Sequence, residues 1–245
     1  MTKEIVVARY MEDLDTLFAI SPYFQSAQVT VYNKGPADDR YTSLPNVGKC
    51  DHTYLHHIVH RYNDLADVTV FVPASAYLPH KRWRLLRVLY EVFENNRETF
   101  LLTEQTAPLQ LWMLQYLKKS TYTTSATENV CSVNCVSPAT PRPFGAWYKH
   151  HLENVVGPLE YPTLFGIFAA SRSAIQRHPV EFYQQLLSQL QDDMSPEAGF
   201  FLERSYHAIF RPAETEMEVL SLPMGVIFLW AGALLGVFSL LVLWR

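Results

Sequence analysis

Three histidines recur at intervals of four residues, at His52, His56 and His60. Residues four apart on an α-helix lie on one face, so the three imidazoles would form a row. Imidazole nitrogens bind Zn²⁺ and similar ions, but a metal site needs further ligands and orienting partners from elsewhere in the chain. No HExxH motif occurs, so the row is a weak metal candidate, and packed or solvated histidines are the simpler interpretation.

A second candidate for metal chemistry is Asp13-Leu14-Asp15. Two carboxylates at this spacing could chelate a divalent cation. The pair stands at the start of the first predicted helix, however, where a capping or solvated carboxylate is the ordinary arrangement. Asp13 and Asp15 are therefore also weak metal candidates.

Two cysteines, Cys131 and Cys135, have a spacing that could close a small disulfide loop or supply half of a metal site. The chain has no N-x-S/T glycosylation acceptor, and its first residues lack the long apolar core of a signal peptide. These features indicate a reducing, cytoplasmic compartment, which favours free thiols.

The elements that would position these groups alternate along the chain. The histidine row lies on a helix that leads directly into a buried strand within residues 46–71. Other apolar patterns predict strands at 4–9, 27–32, 99–102 and 164–170, and helices at 13–20, 79–95, 107–118, 144–154, 179–192 and 196–210. This alternation predicts one α/β domain over residues 1–212.

Residues 120–143 interrupt the alternation. The segment is rich in Ser and Thr, ends in three prolines, and buries too little apolar surface to offset its own ordering entropy. We therefore expect this arm to be ordered by a neighbouring protein chain in a larger assembly.

Residues 219–244 carry no charged side chain. A helix that spans a bilayer needs about 20 apolar residues, so this run predicts one C-terminal transmembrane helix that anchors the chain by its tail. An acidic linker, 213–218, precedes it, and Gly232 and Gly236 form a GxxxG motif that predicts a helix-packing face. Because no signal peptide precedes the helix, the N-terminal domain is expected on the cytoplasmic side of the membrane.

The composition argues against one class of partner. The formal net charge of −4 and the pI near 6.1 are unlike the basic surfaces that bind nucleic acid. The expected partners are instead the membrane and neighbouring protein chains.

Seven motifs carry a family resemblance. In chain order they are VVARYMEDLDTLF, VYNKG, LPNVGKCDHTYLHHIV, DVTVFV, RPFGAWYKHHL, GIFAASR and PEAGFFLERSYHAIF. Over residues 5–210 the chain resembles an uncharacterised domain family of fungi, bacteria and large DNA viruses, with signatures such as VVARYNEDL, NxGREgHTYLxHI, RPFGEW and PEaGHyLERSW.

Members of that family are similar to glycosyltransferases of the GT-A type. The resemblance implies a single mixed-sheet α/β domain and, in an active member, a nucleotide sugar bound with Mn²⁺ or Mg²⁺. The candidate catalytic residues that it carries over are Arg9, Glu12, Asp13, His52, Arg142 and Glu203.

The chain departs from the family pattern at several polar positions. Met11 replaces Asn, Cys50 and Ala146 replace Glu, and Phe200 replaces His, while Pro73-Ala74 replaces Gln-Gly. Catalysis needs ionisable or coordinating groups, so these changes favour a domain kept for its shape, with no cofactor.

Together with the anchor and the viral members of the family, these departures predict a structural protein. The most favoured role is a minor capsid protein that links a virion shell to an internal membrane. The alternative is a tail-anchored glycosyltransferase that uses a nucleotide sugar.

Overall fold

The computed structural model describes residues 1–105, 108–118, 121–123, 136–211 and 217–220. Its strands are β1 (Lys3–Arg9), β2 (Gln28–Asn33), β3 (Thr42–Ser43), β4 (Val68–Pro73), β5 (Phe100–Glu104), β6 (Gln115–Lys118), β7 (Thr121–Thr123), β8 (Thr163–Ser171) and β9 (Met217–Leu220). Seven of them form one mixed sheet in the order β3-β2-β1-β4-β8-β5-β9, and β6 and β7 form a separate hairpin. This confirms the prediction of a single α/β domain.

The helices cover both faces of the sheet. They are α1 (Leu14–Phe18), α2 (Tyr23–Ser26), α3 (Lys49–Arg61), α4 (Pro79–Phe93), α5 (Pro108–Trp112), α6 (Phe144–Tyr148), α7 (Asn154–Val156), α8 (Arg172–Ile175), α9 (Val180–Ser188) and α10 (Glu197–Phe210). A 3-10 turn (Ala74–Tyr77) joins β4 to α4, and a π-helical turn (Lys149–Glu153) joins α6 to α7.

The strand directions define one functional edge of the sheet. β3, β2, β1 and β4 are parallel neighbours, β8 is antiparallel to β4 and to β5, and β9 is parallel to β5. Six of the seven strands therefore run in one direction. We call the edge at which these six strands end the carboxyl edge.

Two apolar cores lie on opposite faces of this sheet. Val6 belongs to the core that includes Tyr54 of α3 and Phe201 of α10. Its neighbour Ile5 belongs to the other core, with Val88 of α4. Successive side chains of a strand point to opposite faces, so β1 is buried on both sides and the domain has three layers.

The helix predicted at 107–118 is wrong in its second half. α5 ends at Trp112, and Gln115–Lys118 forms a strand instead. Leu114 and Tyr116 are both buried, and the ring of Tyr116 stacks on that of Phe200 with 4.1 Å between centroids. Alternate burial of residues two apart is a strand pattern, and tertiary packing on α10 selects it.

The described end of the predicted arm packs against its own domain. Val136 and Ala139 are buried in the core, and Ala139 N donates a hydrogen bond to Glu197 Oε2. These two residues therefore have packing and hydrogen-bond partners within their own domain. Cys131 and Cys135 lie outside the described residues.

The chain enters the sheet again just where the membrane anchor was predicted to begin. Met217 and Glu218 of the predicted linker, with Val219 and Leu220 of the predicted helix, form β9. Pairing with β5 explains this, because it provides hydrogen-bond partners to the backbone of an edge strand. In the part of the chain that the structure describes, no helix is long and apolar enough to cross a membrane. Residues 221–244, including Gly232 and Gly236, lie outside it.

Candidate functional site

A cavity of about 260 Å³ opens at the carboxyl edge of the sheet. The cavity is lined by residues 8–10 at the end of β1, Lys34 after β2, Pro73 at the end of β4, residues 49–51 of α3 and Glu203 of α10. The chain leaves β1 toward β2 on one side and returns through β4 on the other. The crevice between such strands is the usual ligand site of an open α/β sheet.

Four cationic side chains line this cavity: Arg9, Lys34, Lys49 and Lys81. Lys49 Nζ lies 3.4 Å from the ring centroid of Phe200, a close cation–π contact. Lys81 Nζ donates a hydrogen bond of 2.9 Å to Ser75 Oγ. So many positive charges in one cavity of an acidic protein favour an anionic ligand.

Arg9 is held in place where β1 ends. Its Nε donates to the carbonyl oxygen of Glu12 at 3.1 Å, and its Nη1 donates to Asn33 Oδ1 at 3.0 Å. Asp38 Oδ2 lies 3.8 Å from the same Nη1. These contacts fix the guanidinium before any ligand arrives, which lowers the entropy cost of binding.

Lys34 acts chiefly on the loop that precedes α3. Its Nζ donates to the carbonyl oxygens of Val47, at 2.5 Å, and of Lys49. Burial lowers the pKa of Lys34 to about 8. Gly35 follows it because a Cβ there would lie 1.7 Å from the carbonyl oxygen of Tyr10, so the loops after β1 and β2 can approach only without a side chain.

Two segments of the cavity wall have left-handed backbone conformations. Gly48 and Lys49 have φ values of 59° and 51°, and Phe165 and Gly166 have φ values of 72° and 60°. A positive φ is costly for residues other than glycine, so Lys49 and Phe165 are strained. Such strain concentrates at functional sites, where the surrounding structure holds it.

Two carboxyl groups meet the cavity from α3 and α10. Asp51 Oδ1 accepts a hydrogen bond of 2.5 Å from the hydroxyl of Tyr206. Burial, followed by the negative charge of Glu203, raises the pKa of Asp51. Glu203 keeps part of its side chain exposed to the cavity. Ionisable groups of both signs therefore line the cavity.

The structure brings three of the six predicted catalytic residues together at the cavity: Arg9, Glu12 and Glu203. Glu12 has a structural contact as well, because its Oε2 accepts from the backbone N–H groups of Tyr10, at 2.7 Å, and Met11. The other three predicted residues, Asp13, His52 and Arg142, are not among the residues that line it.

Asp13 is the N-cap of α1. Its Oδ1 accepts from Asp15 N at 3.0 Å and its Oδ2 accepts from Thr16 Oγ1 at 2.5 Å. The hydrogen bond from the Thr16 side chain, then that from the Asp15 backbone, lowers the pKa of Asp13. The capping interpretation is therefore the one that the geometry supports, and the carboxyl is already occupied.

Arg142 belongs to a buried ion pair away from the cavity. Its Nη2 donates to Glu197 Oε1 at 2.9 Å and to the carbonyl oxygen of Tyr116 at 3.2 Å. Glu197 is fully buried and also accepts from Tyr116 N and Ala139 N. This pair joins the β6 segment, the end of the arm and α10.

The histidine row exists, but its rings stack face to face. Ring centroids are 6.2 Å apart for His52 and His56 and 3.9 Å apart for His56 and His60. Their interplanar angles of 18° and 26° make the rings nearly parallel, and His60 Nδ1 lies 2.9 Å from the carbonyl oxygen of His56. Burial lowers the pKa of His52 and of His56 to about 4.

No metal centre emerges from these groups. Among the described residues, no group of three or more His, Cys, Asp or Glu side chains is arranged to hold a metal ion. The Asp13–Asp15 pair and the histidine row therefore do not gain the further ligands that either would need.

Sequence analysis missed Lys34, Lys49, Lys81 and Asp51 as site residues. A usable signal was present, because Lys34 directly follows a predicted strand, and Lys49 and Asp51 follow the loop punctuated by Gly48. Residues just beyond the ends of parallel strands are the ones that meet a ligand. Lys81, two residues inside α4, had no comparable signal.

Comparison with known proteins adds a family and little else. No curated protein matches the chain. A solved structure of CMP:2-keto-3-deoxy-manno-octonic acid synthetase complexed with CTP is similar at 11% identity, over 91% of this chain and 90% of that one, with a TM-score of 0.37. That score carries no argument about function. A family model described as "Protein of unknown function (DUF3431)" matches residues 5–219. Because this match spans most of the 245 residues, the chain belongs to that uncharacterised domain family.

Proposed function

We propose that this domain binds a nucleotide sugar at the carboxyl edge and transfers its sugar, as a glycosyltransferase of the GT-A type. The observation that carries the proposal is the cavity between β1 and β4 with its four cationic side chains. A diphosphate is the anionic part of a nucleotide sugar, and Arg and Lys are the side chains that bind phosphate oxygens.

The fold supports this proposal at the level of topology. The parallel run β3-β2-β1-β4 ends at the edge where open α/β sheets bind nucleotides. Phe165 adds aromatic surface to the same cavity, and an aromatic face is a platform for a base or a sugar ring. Phe200 is not such a platform, because Tyr116 and Lys49 cover its ring.

The donor set does not fit the Mn²⁺ or Mg²⁺ that the family resemblance implies. Asp13 caps α1, Asp51 accepts from Tyr206 and Glu12 accepts from two backbone amides. These three carboxyl groups are already hydrogen-bonded within the fold, so the proposed transfer uses no metal ion. Arg9, Lys49 and Lys81 instead offset the charge that develops on the leaving diphosphate.

The transfer step needs one proton acceptor. The acceptor hydroxyl oxygen bonds to the anomeric carbon while the bond from that carbon to the diphosphate oxygen breaks. The nucleoside diphosphate leaves with the electron pair, and the hydroxyl proton passes to the Glu203 carboxylate. Burial raises the pKa of Asp51, so this neighbouring carboxyl binds a proton more readily than an exposed aspartate does.

Calorimetric titration with uridine and guanosine diphosphates tests the proposal. We expect binding near micromolar for one of them, about −8 kcal/mol, in EDTA as well as in Mn²⁺. Lys49→Ala and Arg9→Ala should each weaken it by about tenfold or more, since each removes a charged hydrogen-bond donor. Lys149→Ala, at an exposed lysine outside the cavity, is the matched control and should bind normally.

Glu203→Gln separates binding from chemistry. It should leave diphosphate affinity within about threefold while lowering nucleotide-sugar turnover by about 10²–10⁴-fold, the usual effect of losing a general base. Dissociation constants above about 1 mM for both diphosphates, or equal losses in Lys149→Ala and Lys49→Ala, would overturn the proposal.

The structural role in a virion stays a prediction that the described residues do not test. It concerns partners and a membrane. The cavity would be a vestige under that interpretation, and neither diphosphate would bind.

A further inference from the structure

The last described strand ends at the same edge as the cavity. β9 is parallel to β5, with Glu104 opposite Leu220, and Gln105 N donates to the carbonyl oxygen of Leu220 at 3.5 Å. β5 and β4 are both antiparallel to β8, so β9 also points to the carboxyl edge. The described strand therefore ends at this edge with Leu220, and the uncharged run 219–244 continues from there in the sequence.

The lateral distance from this exit to the cavity is short. β9, β5, β8 and β4 are consecutive in the sheet, and neighbouring strands lie about 4.8 Å apart, which puts β4 roughly 14 Å from β9. β9 is also fastened to the domain, because Glu218 Oε2 accepts from Arg87 Nε at 2.8 Å. A spanning helix that begins just after Leu220 would bring a bilayer surface close to the mouth of the cavity.

Exposed apolar side chains mark the same edge independently. Of the ten large hydrophobic side chains exposed in the described chain, five lie within ten residues after the carboxyl ends of β1, β4 and β5: Tyr10, Met11, Trp83, Leu109 and Met113. Their exposed fractions reach 65% at Met11 and 75% at Leu109. Arg82 is exposed beside Trp83, and aromatic and basic residues are those enriched at membrane–water interfaces.

We propose that the carboxyl edge rests on the bilayer that the tail spans, so that the cavity takes its acceptor from the membrane surface, as the hydroxyl of a lipid headgroup. The identity of the acceptor rests on the proposed function, whereas the placement of the edge does not. The charged cavity then receives a soluble nucleotide sugar from the aqueous side and a lipid headgroup from the bilayer surface.

Photo-cross-linking of the full chain in vesicles tests this placement. The protein is reconstituted into phosphatidylcholine vesicles that contain a phosphatidylethanolamine with a diazirine on its headgroup, and adducts are mapped by mass spectrometry. We expect headgroup adducts in residues 10–12 and 109–113. The loop 62–67, which precedes β4 at the opposite edge, should carry at least tenfold fewer.

A variant with Met11→Asp, Leu109→Asp and Met113→Asp should reduce the adducts at 10–12 and 109–113 severalfold, because charge is unfavourable at the apolar side of an interface. None of these residues lines the cavity, so diphosphate affinity should be unchanged. Adducts confined to 219–244, adducts spread equally to the loop 62–67, or failure of the protein to float with the vesicles would each overturn the inference.

Diphosphate binding in the same vesicles keeps the two proposals apart. Adducts at the carboxyl edge without diphosphate binding would remove the glycosyltransferase and leave the edge on the membrane. Diphosphate binding without those adducts would keep the donor site and remove the membrane acceptor.

Discussion

The ion pair around Glu197 and the charged cavity place similar residue types in opposite situations. Glu197 is fully buried and accepts three hydrogen bonds, from Tyr116 N, Ala139 N and Arg142 Nη2. Its carboxylate charge is thus fully hydrogen-bonded within the fold. Lys49, in contrast, lines the cavity. Its ammonium group lies over the ring of Phe200, and its backbone has a strained, positive φ.

The comparison teaches how to tell a structural charge from a functional one. Both Arg142 and Arg9 belong to family motifs, and motif membership alone did not separate them. Arg142 supplies the opposite charge to the buried carboxylate of Glu197, which is a stability requirement. Arg9 lines the cavity, and under the proposed function its charge contacts the diphosphate.

Removing the centre of the structural group should have the largest effect. Glu197→Ala leaves two backbone amides without their acceptor and Arg142 without its partner, so we expect a loss of about 3–5 kcal/mol in the free energy of unfolding. Thermal denaturation followed by circular dichroism should show a fall in Tm of roughly 10 °C for a domain of this size.

The matched control is Glu203→Ala, at a carboxyl on the same helix that faces the cavity. It should change the free energy of unfolding by less than about 1 kcal/mol, as expected where few contacts are lost. Equal losses in the two variants would break the distinction between the two groups.

Lowering the pH sharpens the comparison by protonating a buried histidine, His57, whose Nε2 lies 3.7 Å from Oε2 of the buried Glu4. His57 is fully buried, its Nδ1 lies 3.1 Å from the Tyr32 hydroxyl, and burial lowers its pKa to about 4. The unfolded chain binds this proton at pH values below its ordinary pKa near 6.5, so stability is complete above pH 6.5 and is lost as the pH falls toward 4.

The magnitude of this loss follows from the pKa difference. His57 alone contributes up to about 3 kcal/mol, and the partly exposed His52 and His56 add smaller amounts. Urea denaturation at pH 7.5, 6.0 and 5.0 measures it. His57→Gln, which cannot titrate, should be less stable at pH 7.5 and less sensitive to pH, whereas an unchanged pH slope would contradict the assignment.

Most of the fold could be predicted from the sequence because its apolar residues recur with the periods of strands and helices. Alternating apolar runs predicted β1, β2, β4, β5 and β8 and the main helices of the domain. The helix predicted at 107–118 failed because Leu114 and Tyr116 obtain their burial from α10, and local periodicity contains no information about a partner some 80 residues away.

The site was accessible only in part, for a related reason. Motifs brought Arg9, Glu12 and Glu203 to attention, but loss of Asn at Met11 and of Glu at Cys50 suggested an emptied site. Lys34, Lys49 and Lys81 cluster only because three separate segments of the chain meet at one edge of the sheet. Strand order creates that meeting, and it cannot be read from any one segment.

The smallest expected effect concerns the acidic pair that first suggested a metal. Asp13→Ala removes the N-cap of α1 and should cost about 1 kcal/mol, seen as a small fall in Tm, with diphosphate affinity unchanged in EDTA and in Mn²⁺. Asp13→Asn keeps an oxygen that can cap the helix, so its stability should stay near that of the unmodified protein, and Asp15→Ala should be silent in both assays. If Asp13→Asn and Asp15→Ala instead each abolished a Mn²⁺-dependent gain in diphosphate affinity, the pair would be chelating a metal. Asp13 would then count among the ligand-binding charges rather than the structural ones.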